Sequence, residues 1–130
     1  MTTKAVLGEI AEQKFTVRAI EEGFKVSRPI GHITSYDFII EKEGRLFRIQ
    51  VKSTHQIRKG NRTFQISVGQ SSLRVSKPYA DNSFDYFAIF VGPLDCFFIV
   101  PQSAIKVRTL SINPAPNKNR YVEYLENWEI

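Results

Sequence analysis

The 130-residue chain has a single cysteine, Cys96. An intrachain disulfide is therefore impossible, which excludes a cystine-stapled scaffold and fits a reducing, cytoplasmic setting. Cys96 opens the strand-like run Cys96-Phe97-Phe98-Ile99-Val100, where a thiol reads as packing rather than as a nucleophile. Long hydrophobic runs are missing too. The longest, Tyr86 to Val91, falls far short of the roughly 20 residues that cross a bilayer, so no membrane partner is expected. The opening MTTKAVLGEIAEQ carries acids and no apolar segment before a cleavage site, unlike a secretory signal. Histidine is scarce, and His32 and His55 lack the spacing of a metal-binding pair.

Acidic residues are absent from one long stretch. Between Gly44 and Ala80 there is no Asp or Glu, while Arg45, Arg48, Lys52, Arg58, Lys59, Arg62, Arg74 and Lys77 all lie there. The chain as a whole is +5, so that segment is +8 and the remainder is −3. A surface of that kind suits a polyanion, and nucleic acid is the expected partner. Repeats, low-complexity segments and linkers are also lacking. Residues 1–130 read as one domain, large enough to bury a core unaided.

What is present alternates between helix and strand signals. Residues 4–22 read as a helix stopped by Gly23. Lys14, Arg18, Glu21 and Glu22 share one side of it, and Val6, Ile10, Val17 and Ile20 define the side expected to pack. Glu9 and Glu12 fall towards that apolar side, where a carboxylate needs a partner, a metal or a cleft; Gly8, about one turn before Glu12, leaves room beside it. Strands are expected over 24–27, 37–41, 46–53, 63–68, 84–91 and 96–100, with a short helix over 101–107 and an ambiguous segment over 69–79. The aromatics Phe84, Tyr86, Phe87, Phe90, Phe97 and Phe98 read as strand core, as does Tyr36. The tail YVEYLENWEI packs on the body or on a second subunit. The fold class is α/β, a mixed sheet with helices packed on it.

The hairpin SYDFIIEKEGRLFRIQVKST, residues 35–54, carries the chemistry. Asp37 opens its first strand. In the second, Phe47, Ile49 and Val51 alternate with Arg48, Gln50 and Lys52, which in isolation is an ordinary half-buried strand. Combined with a helix carboxylate, the set offers oxygen donors suited to a hard divalent ion and an ammonium beside them.

These residues resemble the PD-(D/E)xK nuclease superfamily. Asp37 is similar to its motif aspartate, and Gln50-Val51-Lys52 to its (D/E)-x-K element with glutamine in place of the acid. The helix resembles those of archaeal Holliday junction resolvases, in which a glutamate stands eleven residues before a Gly-aromatic pair. Counting back from Gly23-Phe24 selects Glu12 over Glu9. Lys52-Ser53-Thr54 is similar to a run in the same resolvases. A closer likeness is the small Q-x-K subgroup, which includes an intron-encoded homing endonuclease. It shares a G-E-x-x-E helix start (Gly8 to Glu12), a Tyr-Asp strand (Tyr36-Asp37) and Arg48-Ile49-Gln50-Val51-Lys52. Two departures stand out: Ser35-Tyr36 brings no motif proline before Asp37, and Gln50 supplies oxygen without charge.

The resemblance implies a restriction-endonuclease-like core with an N-terminal helix and a further helix on a mixed sheet. It implies a Mg²⁺-dependent endonuclease that hydrolyses phosphodiester bonds in duplex DNA site-specifically, in the homing manner, with Mn²⁺ able to substitute. Asp37, Gln50 and the Val51 carbonyl would hold the metal, Glu12 would bind it through water or hold a second ion, and Lys52 would position or activate the attacking water. Arg58, Lys59 and Arg62 are the expected phosphate or groove contacts, with His32 and His55 as further DNA contacts. Cutting two strands requires two sites, so a homodimer or larger assembly is expected, with the aromatic tail and Trp128 as candidate interface. A junction resolvase and a catalytically decayed DNA-binding module are the alternative functions.

Overall fold

Helix α1, Lys4–Glu21, is fixed at both ends by its own sequence. The computed structural model, which describes residues 2–31, 33–60, 62–71, 76–77 and 82–130, places Thr3 Oγ1 3.3 Å from the Val6 N–H that it accepts. At the far end Gly23 takes φ +94°, and the N–H groups of Gly23 and Phe24 donate to the carbonyls of Ile20 and Ala19. Glycine tolerates that left-handed turn, so the stop falls where the sequence puts it.

The packed side of α1 differs from the expectation. Ala11, Phe15 and Ala19 are fully buried, whereas Val6, Ile10, Val17 and Ile20 are between 39% and 58% exposed. The cause lies in the surface beneath. Phe15 enters a nest of rings, with centroids 5.3 Å from Phe38, 5.9 Å from Phe97 and 5.7 Å from Trp128. The small Ala11 and Ala19 on either side of Phe15 let the helix approach closely enough for that insertion, which the branched residues would prevent.

Ten strands follow. They are β1 Lys25–Ser27, β2 Phe38–Lys42, β3 Arg45–Thr54, β4 Ile57–Arg58, β5 Thr63–Ser67, β6 Gln70–Ser71, β7 Ser76–Lys77, β8 Tyr86–Val91, β9 Cys96–Pro101 and β10 Thr109–Ile112. The main sheet runs β1-β2-β3-β8-β9, with β3 and β8 parallel and every other pair antiparallel. It is therefore a mixed sheet. The β2–β3 turn has positive φ at both Glu43 and Gly44, the combination that a tight two-residue hairpin demands. Asp85 ties β8 to β3: its carboxylate accepts the Arg48 N–H at 2.7 Å, and its own N–H donates to the Arg48 carbonyl at 2.9 Å.

Alternation along β3 divides the core. Ile49 and Val51 face α1 in one cluster with Phe15, Phe38, Phe90, Phe97 and Trp128. On the other side Phe87, Ile89, Phe98 and Val100 pack with Phe64, Ile66, Leu110 and Ile112 of a second sheet, ordered β10-β5-β4. Strand β10 is not singled out by the sequence pattern above, although Leu110 and Ile112 alternate with exposed Thr109 and Ser111. Cys96 is buried, and burial pushes its thiol up to about 11, in keeping with packing.

Three further expectations change. Over 101–107 only a 3-10 turn forms, Gln102–Ala104, because the Gln102 N–H donates to the Asp85 carbonyl and its side chain accepts the Phe84 N–H, drawing the chain towards β8. Among the described residues the segments beyond α1 are 3-10 turns rather than a further α-helix. Of 69–79, β6 and β7 form a short antiparallel pair, and residues 72–75 and 78–81 lie outside the described residues. No helix among the described residues is long and apolar enough to cross a membrane.

The tail packs on its own domain. Trp128 is 5% exposed, with its ring against Phe15, Phe24 and Phe97 and its Nε1–H donating to Glu126 at 3.0 Å. The other Glu126 oxygen accepts the Phe97 N–H at 2.6 Å and an Arg18 N–H at 2.8 Å. Trp128 is thus core, not an interface anchor. Trp128→Ala is expected to lower unfolding stability by about 3–5 kcal/mol, measured by denaturant titration; an unchanged midpoint would show that the tail is dispensable.

Candidate active site

Strand β3 outruns β2. Their pairing ends at Phe38↔Ile49, while β3 continues beside β8 as far as Thr54↔Val91. Past Ile49 the β2-side edge of β3 is therefore open, and a backbone donor there needs another acceptor. Asp37 supplies it: its carboxylate accepts the Val51 N–H at 2.8 Å, and its own N–H donates to the Ile49 carbonyl at 2.8 Å. In an extended strand the N–H and C=O of one residue point to the same side, so the Val51 carbonyl shares that edge with Asp37.

The side chains flanking the edge follow from pleat and packing. Gln50 and Lys52 lie on the face away from α1, two residues apart and half-buried. The Gln50 amide nitrogen is 3.5 Å from the Val51 carbonyl. Glu12 comes from the other face: it borders the buried Ala11-Phe15-Ala19 side of α1, and its side chain is 26% exposed. Glu9 turns to solvent and accepts a bond from Gln13 at 2.9 Å. A Cβ added at Gly8 would meet no described atom within 4 Å, so the space one turn before Glu12 is open.

The electrostatics single out two carboxylates. Burial raises Glu12 above the ordinary range, and the Asp37 charge raises it further; Arg28 pulls the other way. Burial also raises Asp37, against the Val51 N–H, Lys52 and Arg28, all of which favour its ionised form. Arg28 is the residue that sequence reasoning misses. Its Nη1 lies 3.2 Å from Glu12 Oε1, and its guanidinium sits 4.7 Å over the Phe38 ring. No spacing rule marks it; the only signal is a lone cation in the loop that leads to Asp37.

Such a site suits a hard cation. Its donors are all oxygen: two carboxylates, the Gln50 amide once turned end for end, and the Val51 carbonyl. Both acids sit above their ordinary range because partial burial leaves them short of compensating positive charge. Among the described residues no group of three or more His, Cys, Asp or Glu is arranged for a metal.

The remaining candidates separate. Arg58, at the end of β4, and Lys59 and Arg62, in the turn to β5, are all exposed at the tip of a short hairpin. His55 turns inward instead. Its ring lies 6.1 Å from Phe90, a Cβ at Gly92 would collide with it, and its Nε2 is buried without a hydrogen-bond partner among the described residues. Burial accordingly lowers its pKa. His32 lies outside the described residues.

Because Asp37 is raised when folded, its ionised form costs stability once pH rises through its folded pKa. Asp37→Asn keeps an acceptor for the Val51 N–H and removes that charge. The variant is expected to be more stable than wild type at pH 7 in EDTA and to lose the advantage below about pH 4, near the unfolded carboxyl pKa. Thermal melts at the two pH values test this; a less stable variant at pH 7 would refute the charge penalty.

A family model described as PD-(D/E)XK endonuclease matches residues 1–130. No curated protein matches significantly. Among solved structures, a bacterial homing endonuclease, I-Ssp6803I, is similar at a TM-score of 0.83 and 26% identity, covering 98% of this chain and 91% of that one. Its restriction-endonuclease-like fold agrees with the mixed five-stranded sheet and N-terminal helix described above. The chain belongs to the PD-(D/E)XK endonuclease family.

Proposed function

We propose that the protein is a metal-dependent endonuclease that hydrolyses phosphodiester bonds in duplex DNA at a defined target, in the manner of a homing enzyme. The observation that carries this reading is the gathering of Glu12, Asp37, Gln50 and Lys52 around the open edge at Val51. Asp37, the Gln50 oxygen and the Val51 carbonyl would hold Mg²⁺, or Mn²⁺ in its place, with Glu12 binding through water or holding a second ion. When bound, the metal supplies Lewis-acid polarisation of a phosphate oxygen and a more acidic water.

The protein side chains do the rest. Lys52 sits next along the strand face from Gln50, where its ammonium orients the attacking water and offsets charge that develops on the phosphate. Arg28 partly neutralises Glu12. Gln50 brings no charge to the site, so metal binding leans on Asp37 and Glu12. Phosphates further along the DNA fall to Arg58, Lys59 and Arg62, which stand exposed, rather than to His55 with its inward ring.

The direct test uses supercoiled plasmid, duplex fragments and four-way junctions, each with Mg²⁺, Mn²⁺ or EDTA. Asp37→Ala and Lys52→Ala are each expected to cut about 10³-fold more slowly while still binding DNA. Retained cutting by both variants would sink the assignment. Preferred cutting of junctions would make the protein a resolvase, and binding without cutting on any substrate would leave a decayed module.

Replacing Arg58, Lys59 and Arg62 together with Ala is expected to weaken binding on all sequences. The slope of log affinity against log salt should fall by about 0.9 for each phosphate that is no longer neutralised. An unchanged slope would place the DNA on another surface.

A further inference from the structure

The loop over residues 28–37 leads from Arg28, which holds Glu12, to Asp37, and its tip is apolar. Ile30 and Ile33 are 97% and 93% exposed, whereas no other large apolar side chain among the described residues exceeds the 60% of Leu46. With so little of either covered, neither isoleucine adds appreciable packing to the fold. A Cβ added at Gly31 would meet no described atom within 4 Å, so this stretch stands clear of the body. Turns favour Gly, Pro, Asn, Asp and Ser, for reasons of backbone and hydrogen bonding that a branched aliphatic side chain does not share. The isoleucines therefore serve neither the core nor the turn.

The two ends of the loop are held. At one, Arg28 lies 3.2 Å from Glu12 and 4.7 Å over the Phe38 ring. At the other, Thr34 Oγ1 donates to the Tyr36 carbonyl at 2.8 Å, and the Asp37 N–H donates to the Ile49 carbonyl. At no more than about 3.6 Å per residue, Ile30 stays within about 7 Å of Arg28 and Ile33 within about 14 Å of Asp37, Cα to Cα. Stacked bases are about 3.4 Å apart, so the tip lies within about four base pairs of a phosphate held at Asp37. Charge and size select the occupant. Residues 23–36 hold Lys25 and Arg28 but no Asp or Glu, which suits a polyanion. Two side chains make a point rather than a plane, far short of the roughly 800 Å² that a protein partner covers. Apolar side chains of this kind, set beside cations, can enter a base step from the minor groove, unstack it and kink the duplex.

We propose that Ile30 and Ile33 wedge into a base step of duplex DNA beside the phosphate at the site, so that target choice depends in part on how readily that step deforms. Pyrimidine–purine steps unstack most easily and are the steps expected there. The proposal rests on duplex DNA lying across the site, as the proposed function requires.

Ile30→Ser with Ile33→Ser tests it, beside wild type and Ile30→Leu with Ile33→Leu. Both pairs should melt as wild type does, because the side chains they replace are exposed. Cut sites are first mapped on plasmid. On intact duplexes of that sequence the Ser pair should cut about tenfold or more slowly, and the Leu pair like wild type. A mismatch placed within about four base pairs of the cut makes the step easier to open and should restore the Ser pair, as a merely misassembled site would not allow. Topology gives a readout that needs no cutting. Plasmid relaxed by topoisomerase while bound to Lys52→Ala protein should be negatively supercoiled once the protein is removed, and adding the Ser pair should abolish that. Cutting and unwinding by the Ser pair at wild-type levels, or a deficit that mismatches leave unchanged, would overturn the wedge while the endonuclease stands. Unwinding that the Ser pair abolishes, in a protein that cuts nothing, would support the wedge and sink only the nuclease. A protein that binds no DNA would overturn both. Altered sedimentation of the DNA-free Ser pair would place the tip in a protein interface and overturn the wedge.

Discussion

The hydrogen bond from the Val51 N–H to the Asp37 carboxylate is the hinge of this structure. It exists because β3 is ten residues long and β2 five, so the ladder stops at Ile49 and leaves donors and acceptors without a neighbouring strand. Capping one donor with a side chain keeps the edge from pairing with foreign strands and fixes an acid beside an available carbonyl. Gln50 and Lys52 arrive on one face by pleat alone. Glu12 reaches the same place from the other face, because α1 seats Phe15 between two alanines and so lies close against the sheet.

The site carries a standing electrostatic cost. Two partly buried acids repel each other, offset by the Val51 N–H, Lys52 and Arg28. Protonation relieves the burial of charge and that repulsion, which is why both carboxyls sit above their ordinary range. Gln50, being uncharged, adds nothing to that repulsion.

Much of this is legible in the sequence, for identifiable reasons. Period-two alternation marks β3 and β5, apolar runs mark β2, β8 and β9, and Gly23 marks the end of α1, because those signals are local. Asp37, Gln50 and Lys52 stand out by order and spacing along one hairpin. Arg28 does not, since its approach to Glu12 depends on how a loop crosses the sheet. The orientation of α1 cannot be read from periodicity because the helix has two apolar sides, and only the aromatic nest beneath chooses between them. His55 has the sequence setting of a basic-loop residue; the bare Cα of Gly92 that admits its ring is distant in sequence.

The turn at residues 92–95 serves two clients. Its first residue receives the His55 ring at the root of the basic hairpin, and its last, Asp95, anchors Lys14 and Arg18 of α1. Helix and hairpin belong to opposite layers, yet both lean on the same four residues. Evolution can thus vary either layer freely only while this turn keeps its shape, and a drifted residue at position 92 would be felt on both faces at once.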